Sequence, residues 1–152
     1  MSKQSFQELF GSDNHCFGCG MHNGHGLRIK SFWDGDYAVA IFNPQSYHCA
    51  GSTTIVNGGI LGALIDCHCN CFAIADAYKR EGCEMGTNPK IWYVTANLNV
   101  SYKKPVAIDT PIYLKAVVSK IDGRKTWMSC ELFSKDALCV TGEVLSIRLI
   151  DK

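Results

Sequence analysis

Between Gly58 and Ala75 the chain carries a single formally charged side chain, Asp66, flanked by Leu64, Ile65 and Cys67. Burying an unpaired carboxylate costs several kcal/mol or forces it to take up a proton, so its presence in an apolar run implies a purpose. Two purposes fit: a polar group satisfied across a helix contact, or an acid–base group. The same run opens with Asn57-Gly58-Gly59. If it is helical, the first backbone N–H groups have no intrahelical partner and the macrodipole favours negative charge beside them. An oxyanion then has a seat at Gly58. An N-cap at Asn57, with glycines that permit a tight entry, accounts for the same residues without any ligand.

A helix is what the spacing predicts. Apolar residues recur at Ile60, Ala63, Leu64, Cys67, Cys71, Ile74, Ala75 and Tyr78, and the pattern runs to Gly82 with Lys79 and Arg80 near the end, where cations suit the dipole. Three- and four-residue spacing puts Gly59, Gly62, Asp66, Asn70 and Ala73 on one side. Small residues there leave room beside the carboxylate, which makes Gly59 and Asn70 candidates for binding a substrate. His48 lies nine residues before Asn57, in a loop with Pro44, Gly51 and the hydroxyl residues Ser52, Thr53 and Thr54, and is a candidate for covering the same site.

The remaining text alternates as strands do. Leu27 to Trp33 and Tyr37 to Phe42 flank the turn-forming Asp34-Gly35-Asp36, and a short helix is expected around Phe6 to Phe10. After the long helix come Trp92 to Tyr102, Pro111 to Ile121, Lys125 to Phe133 and Leu138 to Leu149, a crossover strand followed by three hairpin-linked ones. One long helix, apolar nearly all round, must be enclosed by five or six antiparallel strands. The expectation is an α+β chain with residues 1–152 as a single domain.

Composition narrows the partners. A formal net charge of +1 and no Lys/Arg run longer than a pair supply no electrostatic footprint for nucleic acid. The N-terminus leads into polar residues without a signal-peptide core, and no uninterrupted apolar run reaches a membrane-spanning length, so no membrane association and a cytoplasmic setting are expected. The nine cysteines are odd in number and are expected as reduced thiols. His15, Cys16, Cys19 and His22, with Cys67, His68, Cys69 and Cys71 on the helix, compose a rival zinc reading. Only one CxxC occurs, and Cys67 and Cys71 share a helix face that His68 and Cys69 cannot join, so no metal is expected. The Gly- and Asn-rich surroundings of Cys16-Phe17-Gly18-Cys19 do not suit a thioredoxin-like motif either.

Asn57-Gly58-Gly59-Ile60, then Leu64-Ile65-Asp66, then Thr95-Ala96-Asn97-Leu98-Asn99-Val100-Ser101-Tyr102 ending at Pro105, together resemble the hotdog-fold thioesterases related to phenylacetate-degradation thioesterase. The segment Cys16-Phe17-Gly18-Cys19-Gly20, with Asn23 and Gly26-Leu27, is similar to the opening of one branch of that group. The resemblance implies a hotdog fold, acyl-CoA as substrate, no cofactor beyond the CoA of the substrate, and a homodimer or homotetramer. It also implies roles. Gly58 supplies the N–H that polarises the thioester carbonyl, Asp66 is the carboxylate, and Thr95 helps to place water. Asn57 stands where the family usually has histidine. Helix geometry adds an inference: eight residues at about 1.5 Å each separate Gly58 from Asp66 by about 12 Å, too far to serve one carbonyl carbon. An isologous pair of antiparallel helices brings Gly58 of one copy to Asp66 of the other. Lys103 and Lys104 are candidates for meeting CoA phosphates, and Lys90 and Arg28 are equal alternatives. The alternative from another class is a hotdog protein that binds acyl-CoA without hydrolysing it.

Overall fold

The long helix forms where the apolar period places it. In the computed structural model, which describes residues 3–11 and 13–150, α2 spans Gly58–Arg80 and follows a short α1 at Phe6–Phe10. Asn57 caps α2, its side-chain oxygen accepting from the N–H groups of Gly59 and Ile60 at 2.8 and 3.2 Å. Lys79 and Arg80 occupy the last turn, and Gly82 takes the left-handed φ of +68° that lets the chain leave the helix.

Six antiparallel strands wrap one side of this helix: β1 Ser31–Asp34, β2 Tyr37–Phe42, β3 Tyr93–Tyr102, β4 Ile112–Asp122, β5 Lys125–Ser134 and β6 Ala137–Arg148. Their spatial order is β1-β2-β4-β5-β6-β3. Strand β3, first after the helix in sequence, therefore crosses to the far edge and pairs with β6, leaving its other edge open. The core lies between Leu64, Ile65 and Phe72 of α2 and Leu114, Met128, Leu132 and Val140 of the sheet. By length and composition α2 would also suit a membrane crossing, but 67% of its most apolar window is buried inside the protein.

One predicted strand starts later than its pattern. Leu27 and Ile29 are buried as alternation demands, yet β1 begins only at Ser31. The Leu27 and Ile29 N–H groups donate instead to the carbonyls of Phe17 and Gly18, at 2.7 and 3.1 Å, and Arg28 adopts a positive φ of 51°. The segment that alternates like an edge strand is thus spent holding the Cys16–Gly20 loop in place.

Helix and sheet approach closely at Gly142 of β6. A Cβ built there would stand 2.6 Å from Ile65 Cγ2, and Ile65 is fully buried immediately before Asp66. Gly142→Val is expected to destabilise the fold by about 1–3 kcal/mol through overpacking. The check is urea unfolding, in which the midpoint falls while the m-value holds.

Candidate active site

Asp66 sits half-buried in the middle of α2, where the Thr95 hydroxyl donates a hydrogen bond to its Oδ1. A bulge in β3 makes that contact possible: Thr95 pairs with Ser146 and Asn97 with Leu145, so Ala96 has no partner and the strand twists beside the helix. Burial raises the proton affinity of the Asp66 carboxyl above the usual carboxylate range, and the Thr95 hydrogen bond opposes that rise.

Asp66 and Thr95 line a cavity of about 300 Å³ together with Asn70, Cys67 and Trp92. Asn70, one turn on from Asp66, donates from Nδ2 to the Tyr93 carbonyl at 3.0 Å. Its Oδ1 is buried with no partner among the described residues, so a polar acceptor stands ready at the wall of the cavity.

The helix start forms a second, separate recess of about 340 Å³, lined by Gly58, Leu61, Tyr102, Lys103, Lys104 and Pro105 among others. The Asn57 cap engages the N–H groups of Gly59 and Ile60, so Gly59 serves the cap, whereas the Gly58 N–H has no acceptor among the described residues. The Tyr102 hydroxyl donates to the Gly58 carbonyl at 2.6 Å and fixes the peptide from the other side. Lys103 and Lys104 are exposed at the mouth of the recess.

His48 lies next to this end of the helix, its carbonyl accepting from the Asn57 N–H at 2.9 Å. Its ring Nδ1 accepts from the Gln45 N–H at 2.9 Å, and burial lowers its pKa below the ordinary histidine value. Both observations describe a neutral ring that orders the loop before α2.

The structure thus separates the predicted residues into two groups on one helix, with Asp66, Thr95 and Asn70 in one cavity and Asn57, Gly58, Gly59, His48, Lys103 and Lys104 around the other. Sequence reasoning assigned no role to Tyr102, although an aromatic hydroxyl at a strand end just before Lys103-Lys104-Pro105 was the available signal.

One close grouping of thiols is not foretold by the cysteine spacing. Gly18 carries the Cys16–Gly20 loop onto α2, and the sulfurs of Cys16, Cys19 and Cys67 lie within 4.8 Å of one another. Of the residues that seemed to spoil a metal site, His68 is turned into the core. Its Nδ1 lies 2.8 Å from Ser31 Oγ and its Nε2 3.1 Å from the Ala38 carbonyl oxygen. Cys69 is also fully buried.

Residues 53–141 match the family model described as thioesterase superfamily. Acyl-coenzyme A thioesterase THEM4 of Rattus norvegicus is 33% identical over 117 residues, covering 76% of this chain and 45% of that protein. The Mus musculus protein of the same name is 34% identical over 89 residues, covering 59% of this chain and 33% of its own. This chain therefore spans less than half the length of these two curated relatives. A thioesterase superfamily protein from Shewanella loihica superposes with a TM-score of 0.66 at 29% identity, covering 84% of this chain and 96% of that one.

Proposed function

Because the chain belongs to the thioesterase superfamily, we propose that it is an acyl-CoA thioesterase, hydrolysing a thioester to a free acid and CoA as a homodimer or a dimer of dimers. The observation that carries this reading is the Asp66 carboxylate, half-buried on a helix face, hydrogen-bonded by Thr95 and opening onto its own cavity.

Asp66 takes the proton of a water that attacks the carbonyl carbon, or attacks that carbon itself to form a mixed anhydride that water then opens. Either way the C–S bond breaks and CoA leaves as the thiol. The Gly58 N–H of a second copy stabilises the oxyanion of the tetrahedral intermediate. That it has no acceptor among the described residues supports that role, and the separation of the two cavities along α2 supports the need for a second copy. The open edge of β3, with Val94 45% and Leu98 38% exposed, supports a two-fold pairing along that strand. Such a pairing also sets the two α2 helices antiparallel, because each lies fixed against its own sheet.

Lys103 and Lys104, beside Gly58, meet the CoA phosphates. Exposed ion pairs are worth about 0.2–1 kcal/mol each, so replacing both lysines with alanine is expected to raise KM for acyl-CoA roughly two- to thirtyfold with kcat unchanged. An acyl-pantetheine substrate without those phosphates should show no such difference.

The test of the assignment is thiol release from short, medium, long and aromatic acyl-CoAs, with oligomeric state measured on the same samples. Release from at least one class by a dimeric or tetrameric protein supports it. A rise in melting temperature with acyl-CoA and no thiol release from any would instead make this a binding protein.

A further inference from the structure

We propose that Cys16, Cys19, Cys67 and Cys71 form a tetrathiolate site for Zn²⁺ that fastens the N-terminal loop to α2 beside Asp66. The proposal does not depend on the thioesterase reading.

The sulfurs of Cys16, Cys19 and Cys67 lie within 4.8 Å of one another, and the Cys16–Cys67 separation is 3.6 Å. A tetrahedral ion with Zn–S bonds of about 2.3 Å sets its sulfurs roughly 3.8 Å apart along each edge. A disulfide requires about 2.05 Å. The Cys16–Cys67 separation is close to that edge and far from a disulfide. Cys71 lies outside that group of three, but it is one helical turn beyond Cys67 on the same face and lines the same cavity, which places it to supply the fourth ligand.

The loop is built to press its thiols against the helix. A Cβ on Gly18 would stand 2.2 Å from Cys67 Sγ, and one on Gly20 would stand 2.4 Å from the Cys16 nitrogen. Only glycine at both positions allows this approach. The Gly20 N–H donates to the Cys16 carbonyl at 2.8 Å, and Asn14 Nδ2 donates to Cys19 Sγ at 3.4 Å, a contact that would orient and stabilise a sulfur ligand. Beneath the loop, Leu27 and Ile29 donate to the Phe17 and Gly18 carbonyls.

On binding, Zn²⁺ displaces the thiol protons to solvent, with no change in oxidation state. Four sulfur donors and no imidazole or carboxylate make a soft set that suits Zn²⁺ over calcium or magnesium.

The experiment is metal analysis of the protein purified in reducing, chelator-free buffer, followed by titration of the metal-stripped wild type with Co²⁺ and competition by Zn²⁺. Expected are about one tightly held Zn²⁺ per chain and, with Co²⁺, the intense visible bands of a tetrahedral thiolate site, abolished by Zn²⁺. Cys19→Ser should lose both, whereas Cys49→Ser with Cys83→Ser, far from the cluster, should retain both. A metal-free wild type that gives only the weak octahedral Co²⁺ spectrum overturns the proposal, as does metal retained by a folded Cys19→Ser. So does a Cys16–Cys67 disulfide found by peptide mapping of thiol-blocked protein. The wild-type Co²⁺ spectrum decides even if the serine variant fails to fold.

Discussion

Asp66→Asn is expected to lower thiol release from acyl-CoA by roughly 10²–10⁴-fold, the usual cost of losing a general base. The substitution isolates the chemistry. Asparagine has nearly the same volume, and its side-chain oxygen still accepts the Thr95 hydroxyl that now bonds Asp66 Oδ1. Neither the cavity nor the helix–sheet contact at Ile65 and Gly142 changes shape. What is lost is the ability to take a proton or to attack a carbonyl. Steady-state kinetics, with melting temperature and oligomeric state on the same samples, make the check. Unchanged turnover removes Asp66 from the mechanism, and a large drop in melting temperature assigns it a structural duty instead.

The second large effect is expected from Gly58→Pro, which deletes one backbone N–H and little else. Proline is well tolerated at the first position of a helix, where its fixed φ is already suitable. It requires the preceding residue to be extended, and Asn57 has φ −58° and ψ 134°. The space is adequate too, since a Cβ on Gly58 meets the Tyr102 ring no closer than 3.5 Å. Removing one oxyanion donor costs roughly 10²–10³ in kcat. A folded Gly58→Pro protein with wild-type kcat would show that the oxyanion is stabilised elsewhere.

Helix α2 and its carboxylate were legible in the sequence because their signals are local. A polar cap, a 3.6-residue period and a terminal glycine mark Asn57 to Gly82, and a single charge in an apolar run stands out by itself. The two-residue hairpin after Asp34 was equally plain, because Gly35 supplies the positive φ of 60° that the turn needs. Sheet order was not legible. Nothing in the alternation of Tyr93–Tyr102 distinguishes a neighbour of β4 from a neighbour of β6, since pairing is chosen by contacts distant in sequence. Leu27 to Lys30 misled for a related reason: its side chains alternate like those of a strand, while its backbone bonds go to the Phe17 and Gly18 carbonyls. The cysteines show the same limit. The shared face of Cys67 and Cys71 was readable from helix spacing, but the close approach of Cys16 and Cys19 depends on Gly18 fitting against Cys67.

The crossing of β3 to the far edge of the sheet also sets when the site comes into being. Among the described residues its one ladder partner is the last strand, with Tyr93 opposite Arg148 and Tyr102 opposite Val140. As the chain leaves the ribosome, β3 emerges early and must wait, while β4, β5 and β6 zip together through short local turns. Contacts distant in sequence close last. On that order β3 gains its place in the sheet only after β6 has been translated, so a nascent chain halted before that point holds both Asp66 and Thr95 without the finished sheet that frames them.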